Sequence, residues 1–151
     1  HISVYLPQYT IAYITPFLHA QSQFHFEVFT KEVTQVTHSK NITLFPISGA
    51  AFTNSLIRCN AIITAGGFET PAEAMYLNKK LLSIPILHHF EQECNAAAMK
   101  KMGVTVLKKL DQHFGEHFKT WVNQDNSVKI SLTHSTKDIV EVLMNNTLAK
   151  A

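Results

Sequence analysis

The sequence has little charge, no concentrated basic segment and no long apolar run. Charged residues make up 16% of the 151 residues, and the net charge is +2 with neutral histidine. Nucleic-acid binding has little support, because it depends on a concentrated positive surface. A bilayer span needs roughly 18 consecutive apolar residues; no segment approaches that length, and no secretory signal is visible. We therefore expect a cytoplasmic protein that binds no nucleic acid.

Cysteine is also scarce, and its spacing argues against the common metal and redox motifs. Cys59 and Cys94 lie in apolar or helical segments without C-x-x-C spacing, which favours free thiols in a reducing compartment. The segment His113–His117 matches the H-x-x-E-H pattern of zinc proteases, but Gly115 weakens the helix and no third ligand is evident. With nine histidines in the chain, a chance match is the better interpretation. We expect neither a metal nor an organic cofactor.

What the chain does contain is an alternation of apolar runs and helical patterns, in one domain with a sizeable core. Strands are predicted at 2–6, 24–30, 42–47, 61–65, 81–86 and 104–107, helices at 9–20, 50–58, 71–78, 90–102, 111–123 and 136–149, a loop at 31–40 and an extended piece at 128–132. Pro16 is expected to kink or restart the first helix, and Ile57 to face the core. Continuous apolar strands between helices indicate a parallel sheet covered on both faces. We predict a Rossmann-like, doubly wound α/β fold with a mainly parallel sheet of about six strands.

The most informative segment is the glycine pair after the fourth predicted strand. Gly66 and Gly67 allow a sharp turn and a close approach of backbone to a ligand. Thr70 is predicted to be the N-cap of the next helix, with Pro71 at its first position. Glu73 completes a capping-box pattern with Thr70. These features together indicate a strand, a tight turn and an immediate helix start.

The predicted topology places this turn where open α/β sheets bind ligands. In the strand order 3-2-1-4-5-6, the direction of winding changes between the first and fourth strands, and the fourth strand ends at the glycine pair. Free N–H groups and the helix dipole favour a phosphate there. The alternative is an ordinary βα turn that leads into a well-capped helix. The agreement between the local pattern and the topology favours the phosphate site.

The chain resembles the C-terminal, donor-binding domain of GT-B glycosyltransferases, and is similar to the lipid-II-forming N-acetylglucosaminyltransferase type. The matching residues are Gly66–Ala74 (GGFETPAEA), Lys79 and Lys80, Pro85, Phe90–Ala96 (FEQECNA) and Gly103. The likeness covers residues 42–105 in sequence and most of the chain in element order. Many relatives have Gly-Lys-Pro where this chain has Asn78-Lys79-Lys80, a change expected to affect a turn rather than the ligand.

The resemblance implies a role for each matching position. The backbone from Gly66 to Thr70 would hold the diphosphate of a nucleotide sugar, most simply a UDP-sugar. Glu73 would accept hydrogen bonds from the ribose, with the capping box as its alternative role. The strand end Phe45–Ser48 would frame the base, or be an ordinary strand end. The residues assigned to the site are Phe45, Ile47, Ser48, Gly66, Gly67, Phe68, Thr70, Glu73, His89, Glu91, Gln92 and Asn95.

Three of these residues, Glu91, Gln92 and Asn95, would reach the sugar, with plain first-turn helix residues as the alternative for the first two. His89 would contact the donor or lie in an exposed loop. Lys100, Lys101, Lys108 and Lys109 fit solvated charges, or peripheral contact of the full enzyme with a membrane.

The resemblance implies the donor half of a glycosyltransferase, with residues 1–151 as a single donor-binding domain. In similar enzymes the acceptor site and the general base belong to an N-terminal domain. That domain is absent here, and the chain opens directly on a strand-like segment, which suggests a fragment. No convincing catalytic dyad is present, so the isolated chain is expected to bind a donor without transferring it. A non-catalytic nucleotide-sugar sensor and half of a sugar-nucleotide epimerase are the alternatives.

Overall fold

The seven strands found in the described part of the chain form a single sheet. The structure is a computed structural model that describes residues 1–124, 127–128 and 136–148. The strands are β1 (Ile2–Tyr5), β2 (Phe26–Thr30), β3 (Thr37–Ser39), β4 (Ile42–Pro46), β5 (Ala61–Thr64), β6 (Lys80–Ser83) and β7 (Thr105–Val106). Their order is β3-β4-β2-β1-β5-β6-β7, with β3 antiparallel to β4 and every other neighbouring pair parallel.

Helices connect each successive pair of parallel strands except β2 and β4, and two more helices follow the last strand. The helices are α1 (Ile11–His19), α2 (Gly49–Arg58), α3 (Glu69–Tyr76), α4 (Phe90–Lys101), α5 (Phe114–Asn123) and α6 (Thr136–Leu148). None of the described helices has the length and apolarity needed to cross a bilayer. The end of α4 matches the prediction, because Gly103 follows it with a φ of +93°, the left-handed conformation that favours glycine after a helix.

The six parallel strands have the Rossmann order, as predicted. Taken in chain order without β3, they lie 3-2-1-4-5-6 across the sheet. The first and fourth of them, β1 and β5, are neighbours, with Tyr5 opposite Thr64 at their carboxyl ends. The loops after these two strands therefore leave the sheet side by side.

Two apolar clusters cover the two faces of the sheet. One joins β1, β2, β4, β5 and β6 to α1 and α5, and the other joins β5 and β6 to α2, α3 and α4. Trp121 of α5 is fully buried in the first cluster, and its Nε1 donates a hydrogen bond to the Leu81 carbonyl at 3.1 Å. The helices therefore lie on opposite faces, which is the doubly wound arrangement.

Three local predictions differ from the structure. The predicted loop 31–40 contains β3, which pairs with β4 through a two-residue turn in which Lys40 has a φ of +52°. A short polar strand at a sheet edge has no apolar alternation to reveal it. Pro16 does not restart the helix, because α1 runs through it without a break; a kink at Pro16 remains a prediction. Ile57 is 54% exposed rather than inward, because α2 turns Ser55 and Leu56 to the sheet. The predicted piece at 128–132 lies largely outside the described residues.

Candidate functional site

The turn between β5 and α3 begins directly after the last residue of β5. Ala65 donates its N–H to the Tyr5 carbonyl at 3.2 Å, which ties the turn to β1. Helix α3 begins at Glu69, with Phe68 at the N-cap position and no side-chain capping bond. The prediction that Thr70 caps this helix is therefore wrong. Proline fits anywhere in a first turn, because those N–H groups have no intrahelical acceptor, so Pro71 does not fix the start to one residue.

The early start of α3 leaves a run of backbone donors without acceptors. Within the described residues, no group accepts a hydrogen bond from the N–H of Gly67, Phe68, Glu69 or Thr70. The capping box is also not formed, and the exposed Glu73 carboxylate has no hydrogen-bond partner in this part of the chain. Consecutive free N–H groups at a helix N-terminus attract an anion.

The two glycines of the turn serve different purposes. A Cβ on Gly66 would lie 2.9 Å from the Gln92 carbonyl oxygen and 3.0 Å from the Pro85 Cβ, so the packing requires glycine there. A Cβ on Gly67 would meet nothing within 4 Å. Gly67 therefore has open space beside its backbone, next to Phe68, whose side chain is 73% exposed.

The first turn of α4 packs directly against this glycine turn. The Gln92 Oε1 atom accepts the N–H of Gly66 at 3.0 Å and the N–H of Ile86 at 3.0 Å. Asn95 Nδ2 donates to the Gly66 carbonyl at 3.2 Å and to Glu91 Oε1 at 3.4 Å. The three residues predicted to reach the sugar are thus brought together, but two of them are bonded to the turn. Because the Gly66 N–H is occupied, the free part of the predicted diphosphate segment is Gly67–Thr70.

His89 begins α4 rather than standing free in a loop. It occupies the N-cap position, and its Nδ1 accepts the N–H of Gln92 at 3.4 Å. The preceding His88 has a φ of +62°, and its N–H donates to Glu93 Oε1 at 3.0 Å. Capping therefore explains the position of His89, and its contact with a donor remains a prediction.

The residues predicted to frame the base lie at the end of β4. The Phe45 ring stacks on Phe29 with a centroid distance of 5.2 Å. Ser48 is the N-cap residue of α2 and accepts the Phe52 N–H through its carbonyl at 2.9 Å, without a side-chain capping bond. Ile47 is 45% exposed and lines a cleft.

This cleft holds residues that the sequence analysis missed. It has a volume of ≈ 270 Å³ and lies at the carboxyl ends of β1 and β2, between the loop Leu6–Thr10 and Ile47. Gln8 lines it, donating Nε2 to the Ile84 carbonyl at 2.9 Å. Its Oε1 atom is buried and has no partner among the described residues. The predicted topology could have identified this cleft, because the loop after the first strand borders the switch point together with the glycine turn.

The described residues offer no group of three or more His, Cys, Asp or Glu side chains that is placed to hold a metal ion. The site instead consists of backbone N–H groups, glycine, amide side chains and the exposed carboxylates of Glu69 and Glu73, which have no partner among the described residues. Such groups suit the recognition of phosphate and hydroxyl oxygens.

Comparison with known proteins agrees with this arrangement. A sequence model of the family described as Glycosyl transferase family 1 matches residues 1–123. The chain belongs to this family. No curated protein matches the sequence significantly. The glycosyltransferase likeness predicted from the glycine turn is thereby confirmed, while the narrower lipid-II-forming type remains a prediction.

Solved glycosyltransferases share the fold of the chain. SnogD from Streptomyces nogalater superposes with a TM-score of 0.59 and 18% identity over 81% of this chain and 34% of its own. The spinosyn forosaminyltransferase SpnP gives a TM-score of 0.65 and 14% identity over 96% of this chain and 43% of its own. At these identities the likeness concerns the fold, which is a Rossmann-like half of the GT-B type. The chain spans about a third of SnogD and less than half of SpnP.

Proposed function

We propose that this chain is the donor-binding half of a glycosyltransferase and binds a nucleoside-diphosphate sugar, with UDP as the nucleotide. The observation that carries the proposal is the run of free N–H groups from Gly67 to Thr70 at the start of α3. These donors lie at the switch point of the sheet, where the diphosphate would accept them. The helix dipole adds a favourable field for the negative charge.

The surrounding residues fit the rest of a nucleotide. Glu73 lies on the second turn of α3, and its unpartnered carboxylate is available to two ribose hydroxyls. The cleft between the loop Leu6–Thr10 and Ile47 opens beside β1, and Gln8 is one of its lining residues. The base would lie at the end of β4, near Phe45 and Ser48. Membership of the glycosyl transferase family 1 supports sugar transfer as the reaction.

Transfer itself would need groups from another domain. The glycosyltransferases of the same fold are two to three times longer than the segment this chain matches. We propose that the acceptor site and the general base belong to that other domain. The 151-residue chain would then bind the donor without catalysing transfer.

Isothermal titration calorimetry with UDP, pyrophosphate and uridine tests the proposal. UDP should bind best, pyrophosphate should bind more weakly, and uridine weakest, because the free N–H groups recognise the diphosphate. Gly67→Val should abolish UDP binding by blocking access to the backbone, and Gly115→Ala, far away on α5, should bind UDP as the wild type does. Equal affinity of the wild type and Gly67→Val would refute the diphosphate assignment.

A further inference from the structure

The side chain of Gln92 joins the two loops that border the site. Its Oε1 atom accepts one N–H from the turn after β5, at Gly66, and one from the loop after β6, at Ile86. Both distances are 3.0 Å. An amide oxygen has two lone pairs, so these two donors fill its capacity as an acceptor.

The structure around Gly66 depends on this bridge. Gly66 is buried, and its N–H has no other acceptor among the described residues. A buried N–H without a partner is costly. The Gly66 carbonyl is held as well, by Asn95 Nδ2 at 3.2 Å. Both polar groups of this residue are thus bonded to side chains of α4, while the next four residues have free N–H groups.

We propose that Gln92 is a positioning residue, which holds Gly66 so that the following N–H groups point together at the diphosphate. This inference rests on the proposed donor-binding function. The resemblance to GT-B enzymes placed Gln92 against the sugar instead. With both lone pairs of Oε1 in use, Gln92 can only donate to a sugar, through Nε2. The two roles therefore predict different ligand dependence.

Gln92→Met tests the bridge, because methionine has a similar length and accepts hydrogen bonds poorly. A positioning role predicts that the affinities for UDP and pyrophosphate fall by the same factor, about tenfold or more, which corresponds to ~1.4 kcal/mol. Amide hydrogen exchange at Gly66 and Ile86 should accelerate in the same variant. Gln112→Met is the matched control, since the hydrogen bond found for this exposed glutamine among the described residues is with His113, and it should leave the affinities and both exchange rates unchanged.

Gln92→Glu separates the two roles even if Gln92→Met fails to fold. The carboxylate still accepts both N–H groups but cannot donate to a sugar. Its charge should weaken UDP-N-acetylglucosamine and the terminal methyl ester of UDP equally, because both carry a diphosphate that is esterified at both ends and has the same charge. A positioning role predicts an unchanged ratio of the two affinities and retained protection at Gly66 and Ile86. A several-fold fall in the affinity for UDP-N-acetylglucosamine relative to that for the sugar-free ligand would overturn the proposal in favour of sugar contact.

The outcomes distinguish this role from the proposed function. If the wild-type chain binds UDP and a folded Gln92→Met binds it equally well, the positioning role is refuted and the donor site stands. If the wild-type chain binds neither UDP nor pyrophosphate, the proposed function fails, and the positioning role fails with it.

Discussion

Helices α3 and α4 begin at the same edge of the sheet, but their first turns are built in opposite ways. The start of α3 has no side-chain cap and leaves the N–H groups of Gly67–Thr70 free. The start of α4 is capped by His89, and the side chains of Gln92 and Asn95 are bonded to the neighbouring turn. The start of α3 therefore leaves backbone donors free, and the start of α4 supplies the side chains that hold the turn before α3 in place.

Among the variants that test this comparison, the largest effect is expected from substitutions of the two glycines in the turn. Gly66→Ala should lower the free energy of unfolding by about 1–3 kcal/mol, the usual cost of overpacking, because its Cβ would lie 2.9 Å from the Gln92 carbonyl oxygen. Gly67→Ala should leave stability unchanged or raise it slightly, since its Cβ would meet open space. Urea denaturation measures both. Similar losses in the two variants would contradict the assignment of separate roles.

Substitution of Glu73 tests whether α3 binds the ribose as well as the diphosphate. Glu73→Gln should weaken UDP by about 1.5–3 kcal/mol, the scale of a charge-assisted hydrogen bond, and should affect pyrophosphate far less, because pyrophosphate has no ribose. Calorimetry with both ligands measures the difference. Unchanged UDP affinity would exclude the ribose role.

Substitutions of His89 at the start of α4 and of Thr70 at the start of α3 should also differ in their effect on stability. His89→Ala should destabilise the chain by less than about 1 kcal/mol, below a typical N-cap loss, since the Nδ1 to Gln92 N distance is a long 3.4 Å. Thr70→Val should leave stability nearly unchanged, because Thr70 does not cap α3. Thermal unfolding of the two variants provides the measurement. A larger loss for Thr70→Val would restore the capping role to Thr70.

The smallest effect is expected ahead of a third helix, α5. The backbone N–H of His113 donates to Asp111 at 3.0 Å and, with Lys109 nearby, lowers the pKa of this carboxyl from 3.8. A lowered folded-state pKa stabilises the fold above the unfolded value and loses that effect as pH falls through the folded value. Asp111→Asn should therefore reduce the melting temperature slightly at pH 7 and make no difference well below pH 3.8. A difference that persists in acid would exclude the charge as its cause.

The sequence predicted the strand order, because buried parallel strands are continuous apolar runs, whereas the donor site at the glycine turn remains a prediction. It did not predict where α3 begins, since Pro71 is compatible with several first-turn positions. The polar edge strand β3 was missed because its residues, Thr37–Ser39, look like a loop. The proposed role of Gln92 could not be predicted from the sequence, because its hydrogen bonds to Gly66 and Ile86 depend on how α4 packs against the turn. The sequence motif marks the residue, and only the packing identifies its partners.

The buried indole of Trp121 gives the chain an internal optical probe. It is the one tryptophan in the sequence, and its ring packs edge-on against Phe118 at 5.6 Å. It belongs to the apolar cluster on the face opposite α3 and α4. Its fluorescence should therefore shift to longer wavelength when the chain unfolds and change little when a ligand binds at the glycine turn. Emission from this residue can report the folding of every variant without a label and without interference from the donor site.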